Sequence, residues 1–255
     1  LDQTTGPSGH RMREFPMKKS LMVTTSILLV AAAAFATGLL SDDFSYPDGS
    51  LVGNGGWVSH SGTLGDLLVV GGEVVVEHGA PSEDASVGFV PTPGSKVFFR
   101  FDFVVDDPGG PITGGDYEYF AHFKDDGFNF RARMDIVEAN VVGNDYTVGI
   151  SSIGSTADAI WPADLTYGVT YTAVASYDQT NNIAELWIDP TSDTDPSILG
   201  NDEADPGTAI TAFALRQSDS SLNETVRVDN LFVGESFDPV ATEVQTWGGV
   251  KSLYR

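Results

Sequence analysis

Apolar and polar residues alternate in short runs along most of the chain, and clusters of Gly, Asp, Asn and Pro separate these runs. Alternation with a period of two is typical of β-strands that bury one face, and almost no segment has the spacing of an amphipathic helix. The pattern predicts strands near Asp42–Tyr46, Leu67–Val70, Glu73–Glu77, Ala85–Phe89, Lys96–Val105, Tyr117–Lys124, Asn129–Val137, Tyr146–Ser151, Thr170–Tyr177, Ile183–Ile188, Ala209–Arg216 and Val226–Val233. So many strands joined by short turns indicate an all-β antiparallel sandwich or jelly roll.

The register of one hairpin can be predicted. Asp126-Gly127 is a signal for a two-residue type I′ turn, which places Asp125 opposite Phe128. One face of this hairpin is apolar and is expected to be core: Tyr117, Tyr119, Ala121, Phe123, Phe130, Ala132, Met134 and Ile136. The other face carries Glu118, Phe120, His122, Lys124, Asn129, Arg131, Arg133 and Asp135. A slip by one residue would mix the two sets, so their segregation supports the register.

The N-terminal sequence predicts export. Residues 17–36 begin with two lysines, continue with an apolar run and end in a small-x-small cleavage pattern, which is the layout of a secretory signal peptide. Residues 1–16 fit neither a signal nor a domain and are predicted to be upstream or added sequence. We expect a β-sandwich domain at 37–238 and a C-terminal tail at 239–255. The mature protein should be secreted or on the cell surface, without a membrane span.

Composition restricts the partners. The chain has 36 Asp and Glu against 13 Lys and Arg, a formal charge of −23 at pH 7. Such a surface repels nucleic acids and anionic lipids, and it favours solubility and cation binding. The chain has no cysteine, so stability must come from the core, with bound metal as a further source. Adaptation to a saline or calcium-rich exterior is an alternative explanation of the acidity.

Several motifs resemble a known fold. The segments DDFSY, YFAHF, FRARMDIVEAN, AELWIDP and VRVDNLFVG occur in this order over residues 41–236. They resemble exported bacterial proteins with the concanavalin A-like (laminin G-like) jelly roll, and the resemblance implies a sandwich of two antiparallel sheets. The resemblance does not select one function, because proteins of the wider fold include lectins, carbohydrate-binding modules, glucanases and alginate lyases.

The segment RMDIVE at 133–138 also resembles the E-x-D-x-x-E catalytic strand of family-sixteen β-glucanases. In that family the first Glu is the nucleophile and the last is the general acid/base, and here Arg133 occupies the first position. Asp135 and Glu138 remain, but residues three apart on a plain strand face opposite sides, and only a bulge would bring them together. We therefore predict no catalytic residue in this strand.

The polar face of the predicted hairpin is the candidate glycan-binding surface. In relatives of this fold the glycan lies on a concave sheet face, and scarce basic residues of this acidic chain gather on the hairpin's polar face. The candidates are Glu118, His122, Lys124, Asn129, Arg131, Arg133 and Asp135, with Trp161 in a loop. Arginine offers a planar fork for the carboxylate or sulfate of an acidic polysaccharide. Cross-strand ion pairs on a solvated sheet, or a lyase with His122 as base, are the alternatives.

Two groups of acidic residues are candidate calcium sites, because calcium prefers hard oxygen ligands. The loop at 189–207 lacks EF-hand spacing, and a solvated acidic loop is its alternative interpretation; the candidate ligands there are Asp193, Asp195, Asp202 and Asp205. The resemblance to family-sixteen glucanases implies a second site, where the first and last strands pair around calcium. Asp229 would be a ligand of that site, with Asp43 nearby.

Three functions are compatible with these features. The first is an exported, non-catalytic surface or matrix protein that binds a polysaccharide through the concave sheet face. The second is a structural subunit that self-assembles through the basic, aromatic tail TWGGVKSLYR. The third is a glycan-cleaving hydrolase or lyase.

Overall fold

A computed structural model describes residues 38–112, 118–201, 206–218 and 224–238, all within one compact unit. The predicted signal peptide and tail lie outside these residues. The described ranges contain strands β1 (Gly38–Asp42), β2 (Gly49–Ser50), β3 (Val58–Gly62), β4 (Leu68–Val70), β5 (Glu73–Glu77), β6 (Glu83–Gly88), β7 (Lys96–Asp106), β8 (Glu118–Lys124), β9 (Phe130–Val137), β10 (Thr147–Ser151), β11 (Ala159–Ile160), β12 (Tyr171–Asp178), β13 (Ile183–Ile188), β14 (Ile198–Gly200), β15 (Ala212–Arg216) and β16 (Thr225–Gly234). Over the same ranges, no helix has the length and apolar character needed to cross a membrane.

The strands form two antiparallel sheets. One has nine strands, in the order β14-β13-β12-β7-β16-β5-β4-β2 with β1 beside β16, and the other has seven, in the order β11-β10-β9-β8-β15-β6-β3. Many neighbours are far apart in sequence, for example β8 beside β15 and β7 beside β16. The predicted fold class, a jelly-roll sandwich of two antiparallel sheets, is therefore confirmed.

Aromatic side chains from both sheets fill the space between them. Phe99 and Phe101 on β7 are fully buried. The ring centroid of Phe99 lies 5.0 Å from that of Phe123 and 5.2 Å from that of Phe213, and Phe101 lies 5.8 Å from Phe120. Aromatic pairs at these separations add to the stabilisation from buried apolar area. This interior accounts for a stable sandwich in a chain without disulfides.

Most of the predicted strands are present to within a few residues. β5 at Glu73–Glu77 and β13 at Ile183–Ile188 have the predicted bounds. The first strand lies earlier than predicted, because the Asp42 carboxylate accepts the Phe44 amide hydrogen and Phe44 adopts a φ of 47°, which begins a turn. The strands β2, β3, β11 and β14 have no counterpart in the predicted set, because β2, β11 and β14 have only two or three residues and the sequence of β3 does not alternate.

The predicted register of the β8–β9 hairpin is wrong by one residue. Lys124 pairs with Phe130 rather than with Asn129. The turn is longer than the two-residue prediction because the Asp125 carboxylate accepts the amide hydrogens of Gly127 and Asn129. An aspartate that bonds its own turn in this way stabilises a wider loop.

Bulges in this hairpin change which side chains face the core. Register shifts flank Ala121 on both sides, and Ala132 on β9 has a φ of 50°. Phe120, predicted to face outward, is fully buried in the core. Tyr119 and Phe130, predicted to be core, instead lie beside polar residues of the outer face. These corrections determine which side chains form the candidate site.

Candidate functional site

The outer face of the seven-stranded sheet, which points away from the core, carries a group of aromatic and ionisable side chains. β9, β8 and β15 are neighbours in this sheet, and β3 is its edge strand. The His60 ring on β3 lies 6.3 Å from that of His122 and 6.0 Å from that of Phe130. We call the following seven residues the outer-face cluster: His60, Tyr119, His122, Phe130, Arg133, Asp135 and Arg216.

Two guanidinium groups lie against the rings of the outer-face cluster. The Arg133 Cζ is 4.7 Å from the Tyr119 ring centroid and 5.3 Å from that of Phe130. The Arg216 Cζ is 4.3 Å from the Tyr119 centroid. Aromatic ring faces attract cations, and a planar guanidinium also stacks on them. The rings therefore hold both arginine side chains in place.

The two arginines differ in their acidic partners. Nη1 of Arg216 donates to Glu118 Oε2 at 3.0 Å, which also fixes the position of this carboxylate. Arg133 forms no ion pair or hydrogen bond with any described residue, and its Nε is buried without an acceptor. Arg133 is thus held by ring contacts alone.

Buried polar atoms without hydrogen-bond partners gather in the outer-face cluster. Within the described part of the chain, they include both ring nitrogens of His60, Nε2 of His122, Nε of Arg133 and both carboxyl oxygens of Asp135. Nδ1 of His122 lies 3.0 Å from the carbonyl oxygen of Phe123 and must donate to it, which leaves Nε2 as an acceptor. A buried polar group left unpaired costs about 1–3 kcal/mol, so these atoms are candidates for pairing with a ligand or with ordered water.

Burial also controls protonation in the outer-face cluster. It raises the pKa of Asp135 well above its ordinary value, although the nearby charge of Arg133 acts in the opposite direction. Burial lowers the pKa of His60 to about 4, and that of His122 well below its ordinary value. Both imidazoles are therefore uncharged at neutral pH, and burial shifts the Asp135 carboxyl toward its protonated form.

The structure brings four of the eight predicted glycan-binding residues together. His122, Arg133 and Asp135 belong to the outer-face cluster, and Glu118 adjoins it through its ion pair with Arg216. Their placement on neighbouring positions of β8 and β9 follows from the hairpin, which the sequence predicts correctly apart from its register.

The other four predicted residues lie outside the cluster. Nζ of Lys124 donates to a backbone carbonyl of the hairpin turn, and Asn129 is held within that turn. Nε of Arg131 donates to the Tyr177 hydroxyl of the opposite sheet at 3.1 Å. Trp161 is partly buried against the core. Each of these side chains therefore has a local structural contact.

Sequence reasoning misses four residues of the outer-face cluster. The predicted register assigns Tyr119 and Phe130 to the core. A capping role for Asp125 could have corrected Phe130, whereas the bulge beside Tyr119 has no such signal. Arg216 carries no local signal, because β15 meets β8 only through the sheet order. His60 lies in β3, whose sequence VSHSG has no apolar alternation.

For the predicted calcium site at the terminal strands, the structure agrees with the expected strand pairing but does not show the two carboxylates arranged around an ion. β1 and β16 are paired, as expected. Oδ1 of Asp43 accepts the Ser45 amide hydrogen at 3.3 Å, and Oδ1 of Asp229 accepts that of Asn230 at 2.7 Å. Burial raises the pKa of Asp229. Each carboxylate thus accepts a hydrogen bond from a backbone amide one or two residues farther along the chain.

The acidic loop is organised by its own hydrogen bonds. Asp195 accepts the amide hydrogens of Thr191 and Ser192, and Asp193 is exposed. Asp202 and Asp205 lie outside the described residues. No group of three or more His, Asp or Glu side chains in the described ranges is arranged to hold a metal ion. Calcium binding remains a prediction.

Comparison with known proteins identifies the fold. No protein-family model and no curated protein matches the sequence. Among solved structures, the chain is similar to the lectin UEA-II complexed with galactose, with a TM-score of 0.51, 12% identity, and coverage of 76% of this chain and 97% of that chain. It is also similar to peanut lectin with a 9mer peptide, with a TM-score of 0.50, 12% identity, and coverage of 76% and 95%.

A third similar structure is a sialidase, with a TM-score of 0.50 and 14% identity. This chain is covered over 79% of its length but spans only 19% of the sialidase chain. Identities this low show a shared fold and nothing about shared residues. The chain therefore has the concanavalin A-like jelly roll of lectins.

Proposed function

We propose that this protein is an exported, non-catalytic glycan-binding protein and that the outer-face cluster is its binding site. The observation that carries the proposal is the meeting of aromatic rings, an unpaired guanidinium and buried unpaired polar atoms on one sheet face. A sugar has apolar ring faces that pack on aromatic side chains and hydroxyls that pair with polar atoms. A glycan would therefore satisfy both kinds of group at once.

The other parts of the proposal rest on separate observations. UEA-II is complexed with galactose, but a similarity at 12% identity supports glycan binding through the fold alone. Export rests on the signal peptide predicted at 17–36. The absence of catalysis rests on the segment RMDIVE, which resembles the catalytic strand of the glucanases. Arg133 occupies the position of the nucleophile in that strand.

A glycan array and a polysaccharide pull-down with the full chain test the binding site. We expect at least one glycan to bind, and Phe130→Ala to weaken it about tenfold, because the ring against which the sugar packs is lost. Phe98→Ala is the matched control, since Phe98 packs on Trp187 of the nine-stranded sheet. A complete absence of binding, or an equal loss in both variants, would contradict the proposed site.

The same incubations test the non-catalytic part and the calcium prediction. New reducing ends would indicate a hydrolase and unsaturated products a lyase, and either would refute a purely binding role. Each incubation is run with calcium and with a chelator, because the acidic candidate sites predict that calcium stabilises the protein. Ordered filaments under the electron microscope would instead favour the self-assembling subunit.

A further inference from the structure

Arg133 is an exception among the basic side chains of this acidic protein. Every other Lys and Arg in the described ranges donates at least one hydrogen bond. Arg133 donates none to the described residues, although acidic residues outnumber basic ones by 36 to 13 along the chain. Nε of Arg133 is buried without an acceptor, which is costly, and two rings hold the half-buried side chain in one position. The cost is offset if a ligand pairs with the guanidinium.

The carboxyl groups near Arg133 do not supply that partner. Glu118 is held by Arg216 at 3.0 Å. Asp135 forms no ion pair with Arg133 and neither of its carboxyl oxygens has a hydrogen-bond partner among the described residues, while burial raises the pKa of this carboxyl. The carboxyl groups of and beside the outer-face cluster therefore give Arg133 no hydrogen-bonded acidic partner.

The contacts of Arg133 leave its hydrogen-bond donors available. Tyr119 and Phe130 contact the guanidinium through their ring faces and accept none of its five N–H groups in hydrogen bonds. A carboxylate matches the planar fork of a guanidinium with two parallel hydrogen bonds. Phe130 offers an adjacent apolar surface for the ring of a sugar.

We infer that Arg133 binds the carboxylate of a uronic acid residue in the glycan, with the sugar ring on Phe130. The inference rests on the proposed function, because it assigns the charged group of the ligand within the same site. It also explains how an acidic protein would bind an acidic polymer, since one unpaired cation at the contact point outweighs more distant, screened repulsion. A sulfate ester presents similar oxygens, so the test must separate the two.

Titration calorimetry with three uronate polymers tests the inference: polygalacturonate, alginate and hyaluronate, each beside its carboxyl-reduced form. We expect at least one uronate polymer to bind about 10- to 100-fold more tightly than its reduced form, because a hydrogen-bonded charge pair is lost on reduction. Arg133→Gln should remove this difference. Arg227→Gln, on the other sheet, is the matched control and should leave it unchanged. Arg133→Lys keeps the charge without the fork and should bind with intermediate affinity.

The outcomes separate this inference from the proposed function. If the reduced polymers bind as well as the uronates and Phe130→Ala weakens both, glycan binding stands and the role of Arg133 is refuted. Dextran sulfate is titrated as a sulfate ester control; if its binding depends on Arg133 and that of the uronates does not, the carboxylate assignment is wrong. If no polymer binds, both proposals fail. Circular dichroism melting of each variant excludes loss of folding as the cause.

Discussion

Arg227 lies on the outer face of the nine-stranded sheet, where its side chain is 36% exposed and pairs with Glu73 at 3.1 Å and with Asp106 at 2.9 Å. Arg133 lies on the outer face of the seven-stranded sheet, against two aromatic rings, and has no acidic partner among the described residues. The same side chain is therefore neutralised by carboxylates on one face and left unpaired on the other.

An acidic composition therefore does not by itself provide every basic side chain with an acidic partner. Ion pairs at the surface form where neighbouring strands present opposite charges, and each contributes about 0–1 kcal/mol. Unpaired polar groups that are buried destabilise the fold by more than that. Such atoms also occur elsewhere in the described chain, but in the outer-face cluster they lie beside aromatic rings and Arg133, where a bound ligand would compensate for the cost.

The largest effect on stability should come from the ring that holds both guanidiniums. Tyr119 is 8% exposed, so Tyr119→Ala should lower the free energy of unfolding by about 3–5 kcal/mol. Glu73→Ala, which removes one partner of Arg227, should cost at most about 1 kcal/mol. Urea unfolding at pH 7 measures both, and Tyr119→Phe is the control that keeps the ring. Similar losses for the two alanine variants would remove the contrast between the faces.

The strand pattern is predictable because it is local. In β5, Val74 and Val76 are buried while the flanking positions are partly or fully exposed, so the alternation that defines the strand is visible in five consecutive residues. The aromatic core follows in the same way from alternating Phe residues on β7. The number of strands and their patterning were therefore sufficient to predict the sandwich.

The outer-face cluster is less predictable because it depends on hydrogen bonds and sheet order. The Asp125 carboxylate widens the hairpin turn and shifts the register, and a bulge between Tyr119 and Ala121 exchanges the faces of Phe120 and Tyr119. Arg216 reaches the cluster only because β15 inserts between β8 and β6. Neither fact follows from hydrophobic periodicity. The sequence therefore predicts that polar residues gather on one face of the hairpin, but it predicts only some of the residues of the outer-face cluster.

A smaller effect should come from the buried carboxyl of the outer-face cluster. Because burial raises the pKa of Asp135, the folded chain holds this proton more tightly than the unfolded chain. The stability that the proton contributes is therefore present below the unfolded pKa of about 3.8 and is lost as the pH rises. Asp135→Asn should raise the free energy of unfolding by about 1–3 kcal/mol at pH 7.5 and change it little at pH 3.5.

Urea midpoints at the two pH values measure this difference. Asp106→Asn is the matched variant on the other face, and it should cost at most about 1 kcal/mol because it weakens a surface ion pair. A loss of stability in Asp135→Asn at pH 7.5 would show that Asp135 acts as a paired carboxylate. The contrast with Asp106 would then no longer hold.

The smallest expected effect is a difference in how salt changes the stability of the Arg227 and Arg133 variants. Arg227→Gln should lower the free energy of unfolding by up to about 1 kcal/mol in dilute buffer, and the loss should shrink in 1 M NaCl, where the screening length is about 3 Å. Arg133 has no ion pair to screen, so the effect of Arg133→Gln should be the same at both salt concentrations. Urea unfolding of both variants without ligand provides the comparison. A salt-dependent loss in Arg133→Gln would mean that Arg133 is paired within the protein, and the argument for its role in carboxylate binding would then fail.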